Sequence, residues 1–386
     1  MWSAAHKRQL NKGDWERSLL TVKHHTLILA LSVLIADPAC PPQHTMSPQS
    51  VIDLSKLGYP QPPCDYMFQD KDAYAKRHIE FLDSQRLMVS FPVSSQPCDK
   101  GNSPLPQRFR SVILATSGET LNSFEWNLGE NVQAGPDGDI LLSTGKEIHI
   151  LDPAFTVVQV IPWVRDDDSA WKLTRHWTGS VVVAPSRHGF LVQDGYPQYR
   201  VAYFEGNPAK QVLAADSCPG GVAVADGGFA CGQILAGSRR IAIRVGSNEW
   251  HVDDPLLQHA GLLVLATPET LLVLADKFQL YQVTSASENE KVADLHWLAP
   301  GWNSGFRYEL ASAAARRILF FSHGARFPIS DTNGFGKYLR VAVVDLTSKK
   351  IIFRRQYAID TDVAVSPDGH LLAVREKDGV ALNALP

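Results

Sequence analysis

Val363-Ala364-Val365-Ser366-Pro367-Asp368-Gly369-His370-Leu371-Leu372-Ala373-Val374, followed by Val380-Ala381-Leu382, is the stretch on which the fold reading turns. Two short alternating runs flank a Ser-Pro-Asp-Gly turn. Proline presets φ there, aspartate bonds back to the backbone and glycine supplies a positive φ, so the pattern is that of a β-hairpin. The phrase recurs upstream. Ala134-Gly135-Pro136-Asp137-Gly138-Asp139-Ile140-Leu141-Leu142-Ser143 repeats it closely, and Ala266-Thr267-Pro268-Glu269-Thr270-Leu271-Leu272-Val273-Leu274 repeats it without the glycine. Self-similarity at a regular spacing decides architecture ahead of any other feature.

Weaker copies fill the intervals, centred near Leu82-Asp83-Ser84-Gln85-Arg86-Leu87, Trp177-Thr178-Gly179-Ser180-Val181-Val182, Pro219-Gly220-Gly221-Val222 and Ala313-Ala314-Ala315-Arg316-Arg317-Ile318. The seven centres lie roughly 40 to 55 residues apart, the length of one four-stranded propeller blade with its loops. Each repeat continues with a second alternating pair, such as Glu147–Leu151 then Val157–Ile161, or Leu339–Val344 then Ile351–Phe353, which makes four strands per repeat. Trp126, Trp163, Phe204, Trp250 and Trp297 are read as aromatics closing outer strands. Large rings in that position pack between neighbouring blades, with ligand stacking as the alternative.

The last repeat ends after three candidate strands, and Val51-Ile52-Asp53-Leu54 is the segment available to supply its fourth. Closure by an N-terminal strand removes the open edges that invite aggregation. The expected fold is therefore all-β, a seven-bladed β-propeller closed by an N-terminal strand. Residues 76–386 form the propeller, 40–75 an arm that includes the closing strand, and 1–39 a signal peptide or N-terminal anchor. Hydrophobic residues at 45% and charged residues at 20% place the chain among ordinary globular proteins.

Thr26 to Ala36 is a short apolar run preceded by Lys7, Arg8, Lys12, Arg17 and Lys23, the pattern of a secretory signal, with an uncleaved anchor or a buried helix as alternatives. Cys40 follows Ala39 as a lipidated cysteine would, although Asp37 and Pro38 depart from a lipobox. Oxidising surroundings favour disulfides, and the nearest pairings are Cys64 with Cys98 and Cys218 with Cys231, against four buried thiols as the alternative. An extracytoplasmic location, periplasmic or secreted, is the expectation from the signal-like segment. The first 36 residues hold five basic and two acidic side chains; without them the balance of 37 basic to 40 acidic becomes 32 to 38. That balance argues against nucleic acid as a partner.

The Ser366-Pro367-Asp368-Gly369-x-Leu371-Leu372-Ala373-Val374 phrase resembles the repeat units of WD-like, TolB-like and quinoprotein amine dehydrogenase-like β-propellers of exported bacterial proteins. The likeness extends from His78 to Pro386. The Trp-Asp and Gly-His pairs of eukaryotic WD repeats do not recur. What the resemblance implies is a scaffold, and a scaffold is not a function.

Motifs with their own chemistry are missing: the sequence has no His-Glu-x-x-His, Gly-x-Ser-x-Gly, phosphate loop, dinucleotide loop or EF-hand loop. Asp166-Asp167-Asp168 and Asp253-Asp254 sit where one repeat hands over to the next and read as solvated turns, with Ca²⁺ ligation by the triple run as the alternative. His176, His188, His251, His259, His296 and His323 are scattered among repeats without metal-ligand spacing. Ligands of propellers gather where loops surround the central channel. Arg175, His176, His259, Arg307, Tyr308 and Asp362, polar groups just ahead of first strands, are the channel-mouth candidates. The long insertion Ser322–Lys337 in blade six, bearing Phe327 and Phe335, is the partner-binding candidate.

Two functions are compatible with these features. One is a noncatalytic, monomeric exported propeller that binds a protein or glycan and needs no cofactor or metal. Its membrane contact would be confined to an N-terminal anchor. The other is a quinoprotein dehydrogenase or lactonase with Ca²⁺ or a quinone at the channel mouth, which needs converging carboxylates or a basic clamp. Glutamate is sparse ahead of the first strands, which favours binding. The hairpin reading carries its own test: Gly369→Val should lower the melting temperature of the protein, and an unchanged melt would remove the assignment.

Overall fold

Alternation along a strand sends successive side chains to opposite faces. In the quoted stretch it sorts Val363, Val365, Leu372 and Val374 to one side and Ala364 and Ala373 to the other. A sheet apolar on both faces needs a neighbour on both, and a ring of such sheets supplies it. The computed structural model describes residues 50–59, 78–93, 108–144, 146–163, 180–194, 199–218, 221–235, 238–275, 278–284, 288–298, 306–310, 316–324, 338–358, 361–376 and 379–386.

Seven four-stranded antiparallel sheets follow one another. First in the chain is β1 (Ser50–Asp53). Blade one is β2 (His78–Phe81), β3 (Arg86–Pro92), β4 (Arg108–Ala115) and β5 (Thr120–Asn127). Blade two is β6 (Asn131–Ala134), β7 (Ile140–Ser143), β8 (Glu147–Leu151) and β9 (Val157–Pro162). Blade three is β10 (Ser180–Val183), β11 (Gly189–Gln193), β12 (Val201–Glu205) and β13 (Lys210–Ala215). Blade four is β14 (Val222–Ala225), β15 (Gly228–Leu235), β16 (Ser238–Val245) and β17 (Asn248–Val252). Blade five is β18 (Ala260–Ala266), β19 (Thr270–Ala275), β20 (Gln279–Thr284) and β21 (Asn289–Asp294). Blade six is β22 (Phe306–Leu310), β23 (Arg317–Gly324), β24 (Tyr338–Asp345) and β25 (Lys350–Ala358). Blade seven is β26 (Asp362–Val365), β27 (Leu371–Glu376) and β28 (Gly379–Ala384), completed by β1.

The protein is a seven-bladed β-propeller, and its closure is the one expected. β1 pairs antiparallel with β28, Ile52 opposite Val380 and Asp53 opposite Gly379. Ile52, Leu54 and Tyr59 are buried with Ala364 and Leu382 of blade seven and Ile79, Phe81 and Phe91 of blade one. Each of the other six blade-to-blade contacts has its own cluster. Leu82, Phe109 and Trp126 meet Val132 and Ile140 between blades one and two, and Ile148 and Ile161 meet Phe190 and Phe204 between two and three. Trp126 is stacked on Phe109 and donates its indole N–H to Ser111 Oγ at 2.9 Å.

The turn of the quoted hairpin has the expected chemistry. Gly369 sits at φ +73°, the Asp368 carboxylate accepts the His370 N–H at 3.0 Å, and Ser366 Oγ accepts the Leu371 N–H at 2.9 Å. Burial works to raise the Asp368 carboxyl, but hydrogen bonds from the Ser366 hydroxyl, the His370 N–H and the Ser84 hydroxyl outweigh it and hold it below its ordinary value.

Three readings of the sequence are corrected. The hairpin turns of blades three and four lie one strand later than expected. Ser180–Val183 is itself the first strand and the turn follows it at Ala184–His188; likewise Val222–Ala225 is a strand and Asp226-Gly227 the turn. Phe204 is on β12, a third strand, where it stacks with Phe190. Asp254 is buried rather than solvated: its carboxylate accepts the Leu256 N–H at 2.7 Å and the Asn289 side-chain amide at 3.1 Å, which ties blade four to blade five.

If β1 closes the ring by packing as well as by hydrogen bonding, Leu54→Ala should cost about 2–5 kcal/mol. Val51→Ala, which removes an exposed side chain, should cost almost nothing. Urea unfolding of the two variants beside the parent measures both.

Candidate functional site

An antiparallel blade has two ends, and here they differ. First-to-second and third-to-fourth connections leave one end, the turn end, and none is longer than residues 311–316. The connections into first strands and between second and third strands leave the other, the loop end. Every connection longer than six residues belongs to it: 54–77, 93–107, 163–179, 194–200, 253–259, 295–305 and 325–337.

The turn end is laced together. Asp137 N–H donates to Arg187 O at 2.7 Å, His188 Nδ1 lies 2.6 Å from Asp137 Oδ1, and Arg187 Nη2 reaches Phe81 O at 3.0 Å, joining blades one, two and three. Ser186 N–H donates to Asp226 Oδ1 at 2.6 Å, and Gly227 N–H to the Tyr203 hydroxyl at 3.0 Å, joining three and four. Burial pushes that phenol up to about 12, so it remains a neutral hydroxyl. Arg317 Nη1 donates to Gly369 O at 2.5 Å between blades six and seven. Burial, with Asp137 and Asp152 close by, pushes the Asp139 carboxyl above its ordinary value. These polar groups serve the ring itself.

Of the candidate residues, His259 and Asp362 fall at the loop end. Arg175 and His176 belong to the 163–179 connection, and Phe327 and Phe335 to 325–337; these four lie outside the described residues, as do Cys64, Cys98 and Asp166–Asp168. His259 closes the 3₁₀ turn Pro255–His259 ahead of β18, and Arg307 and Tyr308 are the second and third residues of β22; for these three the backbone alone is described. Asp362 opens β26. Its Oδ2 accepts from Arg375 Nε at 2.9 Å and Nη2 at 2.5 Å, and Arg375, 1% exposed, donates through Nη1 to the Tyr59 hydroxyl at 2.7 Å. The Arg375 guanidinium also lies over the Tyr59 ring. Asp362 thereby holds the arginine that clamps the N-terminal arm to blade seven.

A second clamp lies between blades two and three. Asp194 accepts the Trp163 indole N–H and Arg200 Nε, the latter at 2.5 Å, and Arg200 sits over the Trp163 ring. Between blades five and six Arg340 lies over Trp297 and Tyr338 and donates to Trp297 O at 2.7 Å. The sequence reading of Trp163 and Trp297 as packing groups is thus extended by a polar role. Cys218 and Cys231 form a disulfide that fastens the approach to blade four onto β15.

Sequence reasoning missed polar residues inside first strands. His78 and Glu80 alternate with Ile79 and Phe81 on β2, and Asn131 and Gln133 alternate with Val132 and Ala134 on β6, each half-buried. Glu80 accepts the Ala134 N–H and Gln133 Nε2 donates to Val181 O at 3.1 Å, so these side chains stitch consecutive first strands together. The ring nitrogens of His78 are buried without a hydrogen bond among the described residues; Glu80 Oε1 is 3.8 Å from Nε2. The signal available was polar alternation in a strand otherwise as apolar as its neighbours. Among the described residues no three or more His, Cys, Asp or Glu side chains are placed to share a metal ion.

No protein-family model and no curated protein matches the sequence. Solved structures resemble it in fold. A chain of the Mitotic Checkpoint Complex superposes with a TM-score of 0.48 at 13% identity, covering 94% of this chain and 99% of that one. The Pan2 WD40 domain of Neurospora crassa gives 0.45 at 9%, covering 89% and 98%. PorZ of Porphyromonas gingivalis gives 0.49 at 11%, covering 81% of this chain and 38% of that one. The likeness goes no further than the propeller.

Removing one partner of a buried ion pair costs about 3–5 kcal/mol, and Arg375→Ala should fall in that range on urea unfolding. Asp362→Asn, which leaves the more buried guanidinium without its counter-charge, should cost a comparable amount. A cost near zero for Asp362→Asn would show that the carboxylate does not hold Arg375.

Proposed function

We propose that the protein is a noncatalytic scaffold that binds a protein or glycan partner through the loop end of its propeller, outside the cytoplasm. The observation that carries this reading is the placement of every long connection at one end of the ring. Long loops on a rigid scaffold are the usual carriers of recognition, because they vary without disturbing the strands beneath. The turn end, with its polar groups committed to neighbouring blades, offers little to a partner. Aromatic residues in the 325–337 connection, Phe327 and Phe335, suit a protein surface or a sugar face.

The location rests on the Cys218–Cys231 disulfide, a bond that persists in oxidising compartments, and on the basic and apolar pattern before Ala36. Among the described residues no helix is long and apolar enough to cross a membrane.

A photo-crosslinking amino acid tests the face. Placed singly at Arg307, Tyr308, Phe327 and Phe335 in cells that make the protein, it should yield a discrete crosslinked species. The same group at Ser186 and Glu269, in turn-end connections, should not. Equal crosslinking at both ends, or none at the loop end, would overturn the assignment. A mass increment matching a metal or quinone on the native protein would favour an enzyme instead.

A further inference from the structure

Among the described residues, five keep a buried polar side-chain atom without a hydrogen bond: His78, Ser143, Arg240, Trp250 and Thr361. Four of them lie at the loop end. His78 opens β2, Ser143 closes β7, Arg240 is the third residue of β16 and Thr361 stands just ahead of β26. Trp250 is midway along β17, and none of the five is in a turn-end connection. Unspent hydrogen-bonding capacity is thus gathered at the end that carries the long connections. Each such group in a folded protein calls for an explanation. A water molecule serves for a hydroxyl, an indole or an imidazole. A guanidinium drawn half out of water also needs a counter-charge, which water does not supply.

Of the described arginines that are buried or half-buried, Arg240 is the one with no hydrogen bond, ion pair or aromatic ring; each of the others has a partner. How the others are satisfied defines what is missing. Nε of Arg86, Arg200, Arg244 and Arg375 each meets an aspartate or glutamate oxygen at 2.5–2.9 Å. The atom of Arg240 that is buried without a partner is the same Nε. Arg244, on the same strand and face, shows the filled arrangement: Glu249, directly opposite on β17, takes its Nε. The ladder between β16 and β17 ends at Ile241 and Val252, before it reaches Arg240. Alternation puts Arg240 on the face of Ala242 and of Cys231 opposite it, which packs with Val201 and Tyr203 of blade three. Arg240 therefore stands at the seam between blades three and four, on the loop-end side of the Cys218–Cys231 bridge.

We propose that Arg240 receives, through Nε, the carboxylate of an aspartate or glutamate side chain presented by a protein partner. The proposal rests on the loop-end reading and narrows it: the partner is a protein, and it brings an acidic residue to the seam between blades three and four. A guanidinium side offers two parallel N–H groups to the two oxygens of a carboxylate. Aspartate and glutamate are the groups that this fold already sets against Nε of four other arginines. Left unpaired, the half-buried charge costs the isolated protein stability, and the partner's carboxylate restores it.

Nuclear magnetic resonance of the arginine Nε–Hε groups of the full chain reads the site directly, with the Arg240 signal identified by its loss in Arg240→Met and in Arg240→Lys. N-acetylglutamate methylamide, titrated to about 10 mM at constant ionic strength, covers the millimolar affinity of a single pair. It should move the Arg240 signal and leave those of Arg200 and Arg375 in place, and its glutamine analogue should move none. A signal that stays still, or that follows the glutamine analogue equally, would overturn the proposal. Glucuronate or inorganic phosphate acting at lower concentration than the glutamate compound would overturn the assignment to a protein side chain. Arg240→Met keeps the stem and removes the charge, so it should melt no lower than the parent; a lower melting temperature would mean that Arg240 is already paired within the fold. In cells carrying a loop-end photo-crosslinking residue, Arg240→Met should reduce the crosslinked species about tenfold, the worth of one charge-assisted hydrogen bond. Undiminished crosslinking would sink this proposal and leave the loop-end reading standing, whereas no crosslinking in the parent would remove both.

Discussion

Every blade of this protein is apolar on both faces, and that single constraint governs the rest. A sheet with Val363, Val365 and Leu372 on one side and Ala364 and Ala373 on the other has no stable existence with either side in water. Burying one valine, leucine or phenylalanine is worth roughly 1.5–3 kcal/mol, so an uncovered face forfeits several such contributions at once. Seven blades satisfy the constraint only when the last meets the first. β1 makes that meeting by pairing Ser50 with Leu382 across nearly the whole chain. The entropy of closing so long a loop grows only slowly with length, about 0.6 kcal/mol per doubling. The packing of Ile52 and Leu54 offsets it readily.

Polar groups follow from the same geometry. Where inner strands converge, backbone and side chains of neighbouring blades come within hydrogen-bonding reach, and the sequence fills those places with short polar residues: Asp137, Ser186, Asp226, Asp368. The turn end is short-looped because its connections are hairpins whose length is set by the sheet. Connections at the loop end must cross from an outer strand to the next inner one or bridge second and third strands, and there length is tolerated. Three arginines, Arg200, Arg340 and Arg375, each beside an aromatic ring, anchor the bases of those longer connections. Guanidinium suits this place because it stacks on a ring and donates in several directions at once.

Much of this architecture is legible in the chain. The Ser-Pro-Asp-Gly phrase marks a hairpin whose two runs pair as read, Val363 with Val374 and Val365 with Leu372, and the surplus strand at Val51 finds the vacancy in blade seven. In blades three and four turn chemistry points one strand too early. Trp177-Thr178-Gly179 and Pro219-Gly220-Gly221 are as rich in turn formers as Ala184-Pro185-Ser186 and Asp226-Gly227, because the handover between blades and the first hairpin demand the same residue types. Periodicity then locates the blade without locating its first strand.

Local chemistry by itself determined the repeat, the number of strands and the closing segment, because alternation and turn preference act between residues a few positions apart. Tertiary structure alone decided what the isolated polar residues do. Asp362, a channel-mouth candidate, holds Arg375, whose other partner, Tyr59, lies at the far end of the chain. Arg187 crosses from blade three to a carbonyl of blade one. Asp254 looked solvated and is buried against Asn289 of the next blade. Partners so distant leave no spacing to read. Only the closed ring brings them within 3.1 Å, and there hydrogen bonding compensates the desolvation that would otherwise exclude them from the interior.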